Sequence, residues 1–187
     1  KHLVAAHEVY LGTFIDDPED EIHAPILSAM CKELHTEKLH PLRSRIASLA
    51  GLVTGEALTL RYYRSASMRA WVSEVMEREA IDVCVVFSSS MAQYVDPHPG
   101  MPLLLDMVDV DSAKWAEYAP RHRWPMSWLY KREGQKLLDF ERKASARSQV
   151  TYLATPKEAE LYCQLAPECI GRVESLSNGV DTDYFQP

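Results

Sequence analysis

Two apolar patterns alternate along this chain. Short, continuous apolar runs are separated by longer stretches in which apolar positions recur every three or four residues, the signatures of buried strands and of amphipathic helices. The runs predict strands at 8–14 (EVYLGTF), 82–87 (DVCVVF), 102–107 (PLLLDM), 150–153 (VTYL) and 172–176, with a weaker one at 35–39. Helical spacing predicts a helix over 19–34, carried by Ile22, Ile26, Leu27, Met30 and Leu34. It also predicts a basic amphipathic stretch over 42–53, with Ile46, Leu49, Leu52 and Val53 on one side. Residues 67–79 follow with a buried stripe of Met68, Trp71, Val72, Val75 and Met76. A short helix over 113–118 and a long one over 125–147 come next. Thr155-Pro156-Lys157-Glu158 then starts a helix to Leu165, with Thr155 as N-cap, Pro156 at the first position and Glu158 closing a capping box. Residues 1–6 read as the tail of a helix.

Strands alternating with helices predict an α/β protein with a doubly wound, Rossmann-like, mostly parallel sheet. In such sheets ligands sit at the carboxyl ends of the strands. Here those ends carry Ser88-Ser89-Ser90, then Val108-Asp109-Val110-Asp111, then Ser177-Asn178-Gly179, so polar chemistry falls where a site is expected. Composition adds exclusions. With 187 residues, 47% of them hydrophobic, the chain is long enough for one sizeable core, and its net charge of −7 argues against nucleic acid as a partner. Cys31, Cys84, Cys163 and Cys169 form no CxxC pair, which predicts free thiols in a reducing cytoplasm. No apolar run approaches the roughly 20 residues that span a bilayer, and the histidines show no ligand pair on one helix. No metal site is expected.

Asp106, Asp109 and Asp111 cluster at the end of an apolar strand, and three readings compete. In the first, Asp111 or Ser112 caps the next helix, since both residue types accept hydrogen bonds from first-turn amides. The carboxylates suit an acceptor-binding role, holding sugar hydroxyls. Asp109-Val110-Asp111-Ser112 also resembles the nucleophile loop of haloacid-dehalogenase-type phosphatases and the Asp-x-Asp of metal-dependent transferases, although no paired-acid loop follows. Ser88 and Ser89 offer hydroxyls to a sugar or phosphate, or serve only as a polar loop capping a short helix. Asn178-Gly179 is a turn signal, because both residues tolerate positive φ. Two basic, apolar-rich segments, 42–64 and 121–132, suit an anionic lipid surface.

Several strings together resemble one family. These are 8–14, GEALTLRYYRS (55–65), FSSSMAQY (87–94), LDMVDVDSAKW (105–115), WPMSWLY (124–130) and SNGVDTDYF (177–185). The chain resembles the first domain of retaining GT-B glycosyltransferases of family four, in particular the sugar transferases of exopolysaccharide and PEP-CTERM loci. The resemblance implies that residues 1–176 form the acceptor-binding domain, with its first strand missing, and that 177–187 form the interdomain hinge. It implies transfer of a sugar from a nucleotide-sugar to a glycan or lipid-linked acceptor, without a metal or other cofactor. By resemblance Asp109, Asp111 and Ser112 line the acceptor side with Ser88 and Ser89, Asn178 and Gly179 lie on the donor side of the hinge, and no catalytic base is identified. It further implies a cytoplasmic protein in peripheral contact with the inner membrane, and a donor domain after the hinge, so that this stretch alone is expected to be inactive. Open strand edges left by a missing strand favour homo-oligomers. A stand-alone α/β binding module or a phosphatase using Asp109 is the alternative.

Overall fold

Among the described residues six strands, all parallel, form two sheets, one of two strands and one of four. The computed structural model describes residues 2–96 and 100–179. The fold is α/β and Rossmann-like, as the alternation of patterns predicts. Contacts divide the chain into two compact units. One runs to Ile81 and includes Gln93–Asp96; the other comprises Asp82–Ala92 and the described residues from Gly100 onward.

In the first unit β1 (Tyr10–Ile15) lies beside β2 (Glu33–Lys38), with Tyr10 opposite Glu33 and Ile15 opposite Lys38. Between them come a 3₁₀ helix, Pro18–His23, and α1 (Ala24–Met30). The single helix expected over 19–34 is therefore corrected. The backbone turns extended at Cys31, and Leu34 belongs to β2. Ile22 and Ile26 have helical spacing but face solvent, so their periodicity marks no buried stripe. After β2 come α2 (Pro41–Ser48), α3 (Ala50–Thr54), a short α4 (Leu58–Tyr62) and α5 (Ala66–Arg78). Gly55 ends α3 at φ 78°, a left-handed position that favours glycine. Ser65 caps α5 through its hydroxyl, which accepts from Met68 N at 3.1 Å. Met68 and Val75 are buried as predicted. The helix lies close to β1 because Gly12 has no side chain: a Cβ there would sit 2.7 Å from the Trp71 ring.

In the second unit the order is β3 (Cys84–Phe87), β4 (Leu103–Val108), β5 (Val150–Leu153), β6 (Val173–Ser175). A 3₁₀ helix, Ser89–Tyr94, follows β3. β4 leads to α6 (Asp111–Tyr118) and α7 (Met126–Arg147), and β5 leads to α8 (Pro156–Leu165). One sheet face, bearing Leu103, Leu105, Met107, Thr151 and Leu153, is fully buried. Leu137, Ala144, Tyr162 and Cys169 are buried in the same unit. The run DVCVVF is not the doubly buried strand that its apolar continuity predicts. β3 is the sheet's edge: Val86 is buried, while Val85 and Phe87 point to the other face and are exposed, Phe87 by 66%. α8 begins where expected, with the Thr155 hydroxyl accepting from Glu158 N at 3.1 Å. The Glu158 carboxylate, however, does not close a capping box; it reaches across to β4's exit loop.

Candidate functional site

Two neighbouring parallel strands, β3 and β4, end in non-glycine residues with left-handed backbones, Ser88 at φ 73° and Val108 at φ 65°. A β-branched valine there is a true outlier, and such strain clusters at functional loops. Asp106 ties the two ends together. Its carbonyl accepts from Ser88 N at 2.7 Å, and its carboxylate accepts from Val108 N at 3.1 Å. The β4–β5 register shifts between Asp106 and Val108, which redirects the chain into Asp109.

Asp109 and Asp111 share one cation. Lys114 Nζ stands 2.7 Å from Asp109 Oδ2 and 3.4 Å from Asp111 Oδ1. Burial raises the Asp111 pKa above the ordinary aspartate value, and Lys114 opposes that only in part. Burial also works against the charge on Lys114, but its bonds to Asp109 and Asp111 outweigh it and raise its pKa. Asp109 and Asp111 thus present carboxylate oxygens beside a fixed ammonium at the carboxyl end of β4.

Neither Asp111 nor Ser112 caps α6, so the simple helix-cap reading is corrected. The N-cap position is Val110, with no side-chain cap, and the work is done by two glutamates from distant helices. Glu158 Oε2 accepts from Val110 N at 3.0 Å. Glu141 Oε1 accepts from Ser112 N at 3.1 Å, while the Ser112 hydroxyl donates to Glu141 Oε2 at 2.5 Å. A carboxylate at a helix start satisfies free amides and meets the positive end of the helix dipole. Glu141 is 0% exposed, and burial pushes its carboxyl up to about 7. Ser112 is buried and committed to Glu141, so it positions the loop and offers no free hydroxyl at the surface.

Ser88 is half-buried, and its hydroxyl lies 3.2 Å from that of Ser90. Ser89 is fully buried, and its hydroxyl has no hydrogen-bond partner among the described residues. Ser88 is therefore the residue of the triplet that presents its hydroxyl at the strand end. Asn178 and Gly179 are exposed irregular chain beyond β6. The rest of the expected hinge, 180–187, lies outside the described residues, as does His98. α6, α7 and α8 also frame an open groove of about 750 Å³, lined by Ala116, Ala119, Trp128, Leu138 and Leu161, that reaches Ser112. Among the described residues no three His, Cys, Asp or Glu side chains converge to hold a metal ion.

Glu141 and Glu158 are the residues that sequence reasoning misses. The signal for Glu141 is present: Glu133, Leu137, Glu141 and Ala144 share the buried face of α7, and a charge on such a face needs a partner. No protein-family model matches the chain, and no curated protein matches it.

Proposed function

We propose that this chain is the acceptor-binding domain of a retaining, nucleotide-sugar-dependent glycosyltransferase of the GT-B type, acting in exopolysaccharide synthesis on the cytoplasmic side of the membrane. One observation carries the reading. Asp109 and Asp111 present carboxylates just past the carboxyl end of a parallel strand, both held by Lys114, and Ser88 follows the adjacent strand, its N–H donating to Asp106 O. Carboxylates that accept from hydroxyl groups are the chemistry that selects a sugar. The Rossmann-like fold and the family-like strings 105–115 and 177–185 support the same assignment. In this reading the loop after β4 holds the acceptor, Ser112 and Glu141 keep it in place, and the nucleotide-sugar is bound by a donor domain following the hinge at Asn178-Gly179.

The test is a nucleotide-sugar panel on the full-length protein, read by thermal shift and by transfer to glycan and lipid-linked acceptors. Asp109→Asn and Asp111→Asn are expected to raise the acceptor KM at least tenfold and to leave donor-induced thermal shifts unchanged. Magnesium-dependent phosphate release that Asp109→Asn abolishes, with no sugar transfer, would overturn the reading in favour of a phosphatase.

A further inference from the structure

The loop between β4 and α6 is strained at one end and clamped at the other. It leaves β4 through Val108, whose φ of 65° is costly for a β-branched residue. It enters α6 at Asp111 and Ser112. There the Ser112 carbonyl rests directly on α7, since a Cβ at Gly134 would sit 2.9 Å from that oxygen. Two carboxylates hold the loop down. Glu158 Oε2 accepts from Val110 N, and Glu141 takes both polar groups of Ser112, the amide on Oε1 and the hydroxyl on Oε2.

Glu141 has no counter-charge of its own. It is fully buried, and among the described residues it forms no ion pair with Lys, Arg or His. From α6 the charged groups that face it are Asp111 and Lys114, and Lys114 is already held by Asp109 and Asp111. From α8 the titratable group is the buried Tyr162 phenol, whose pKa burial raises. In the acid form the Glu141 proton lies between Oε2 and Ser112 Oγ, Oε1 accepts from Ser112 N, and no charge is buried. Once the proton is lost, a full negative charge lies in a dry site beside Asp111, which is costly without a paired cation. Lifting the loop lets water reach that carboxylate and relaxes Val108.

We infer that the β4–α6 loop is a proton-operated latch: protonated Glu141 holds it shut against α7, and loss of that proton lets the segment from Val108 to Ser112 lift away. The proton passes from Oε2 to solvent water as the loop lifts, and the carboxylate is then hydrated. This is a local opening, confined to a short segment held by few bonds. The loop carries Asp109 and Asp111, so the pair is fixed in one geometry when the latch is shut and freed when it is open. The inference stands on the burial and bonding of Glu141, and is independent of the sugar-transfer reading.

The experiment is amide hydrogen exchange of the full chain at pH 6, 7 and 8 in low urea, read residue by residue by NMR and corrected for the intrinsic exchange rate. The amides of Val110 and Ser112 report the latch. Glu141 titrates at about 7 in the shut loop, against 4.5 for a solvated glutamate, so linkage raises the open population about tenfold from pH 6 to pH 8. Wild-type protection of the two amides should fall by that factor, from a level below that of the β4 and β5 amides. Glu141→Gln, which cannot ionise, should show no fall. Asp111→Asn, at a half-buried position, removes the like charge beside the carboxyl and should move the fall to lower pH, so that less of it remains between pH 6 and pH 8. Constant wild-type protection across this range would overturn the inference. So would a fall that persists in Glu141→Gln, or one that Asp111→Asn leaves unmoved. Exchange of Val110 and Ser112 that needs as much urea as the strand amides would also overturn it, because the loop then opens only when the unit unfolds.

Discussion

Glu141 is a buried carboxyl whose protonation sits near neutrality. Its pKa is raised on folding from 4.5 to about 7, so the folded state binds the proton more tightly than the unfolded chain. The sign follows: the stability it contributes is full below about 4.5 and is lost as pH rises through about 7. Urea midpoints should therefore fall between pH 5 and pH 8 in wild type. In Glu141→Gln, which keeps an acceptor for Ser112 but cannot ionise, that part of the slope should vanish. An unchanged slope would place the titrating group elsewhere. Gly134 offers a second residue-scale test. Alanine in a helix interior normally gains up to about 1 kcal/mol over glycine. Here a Cβ would sit 2.9 Å from Ser112 O and 3.2 Å from Ala116 N, both backbone atoms of α6 that cannot swing away. Gly134→Ala is expected to cost about 1–3 kcal/mol, seen as a lower denaturation midpoint, and to disturb the first turn of α6, which begins at Asp111.

At the scale of elements, α8 shows how local signals transmit. Thr155 holds the first turn through Glu158 N, so Thr155→Ala should cost about 1 kcal/mol. Glu158→Gln tests the other half of that turn. It should leave α8 intact and weaken the hold on Val110 N, lowering acceptor affinity more than stability. The extent of α8 and of β5 was legible in the sequence because Thr-Pro-Lys-Glu and the run VTYL are local signals. The single helix expected over 19–34 does not form, since Ile22, Ile26 and Met30 have helical spacing without a partner to bury them; periodicity records what a face offers, not what covers it. β3 departs from its expected double burial for a related reason. A continuous apolar run signals burial on both faces, but Val85 and Phe87 face solvent at a sheet edge. Asp109 and Asp111 were legible by their place after a strand. Glu141 and Glu158 were not, because they meet the loop from 29 and 48 residues away, a separation no local pattern encodes. The left-handed backbones of Ser88 and Val108 were hidden too, since neither residue type advertises that conformation.

For the whole molecule, the open edge of β3 matters beyond its own unit. Cys84 N and Ser88 N donate toward β4, to Pro102 O and Asp106 O, so the alternating groups of Val85 and Phe87 face away from the sheet. Their side chains are apolar and exposed as well. An edge of this kind recruits another strand. Light scattering should show self-association that rises with concentration, and Val85→Lys should reduce it without changing the thermal midpoint by more than a few degrees. Lys114 has a different consequence for the molecule. It is a cation built into the chain, standing 2.7 Å from one aspartate and 3.4 Å from the other. A counter-ion carried by the chain itself occupies the position in which a dissolved divalent ion would have to compete for the two acids. Lys114→Met would vacate that seat, and titration calorimetry should then detect tighter magnesium or calcium binding than in wild type; equal binding would show that the lysine does not compete for the two acids.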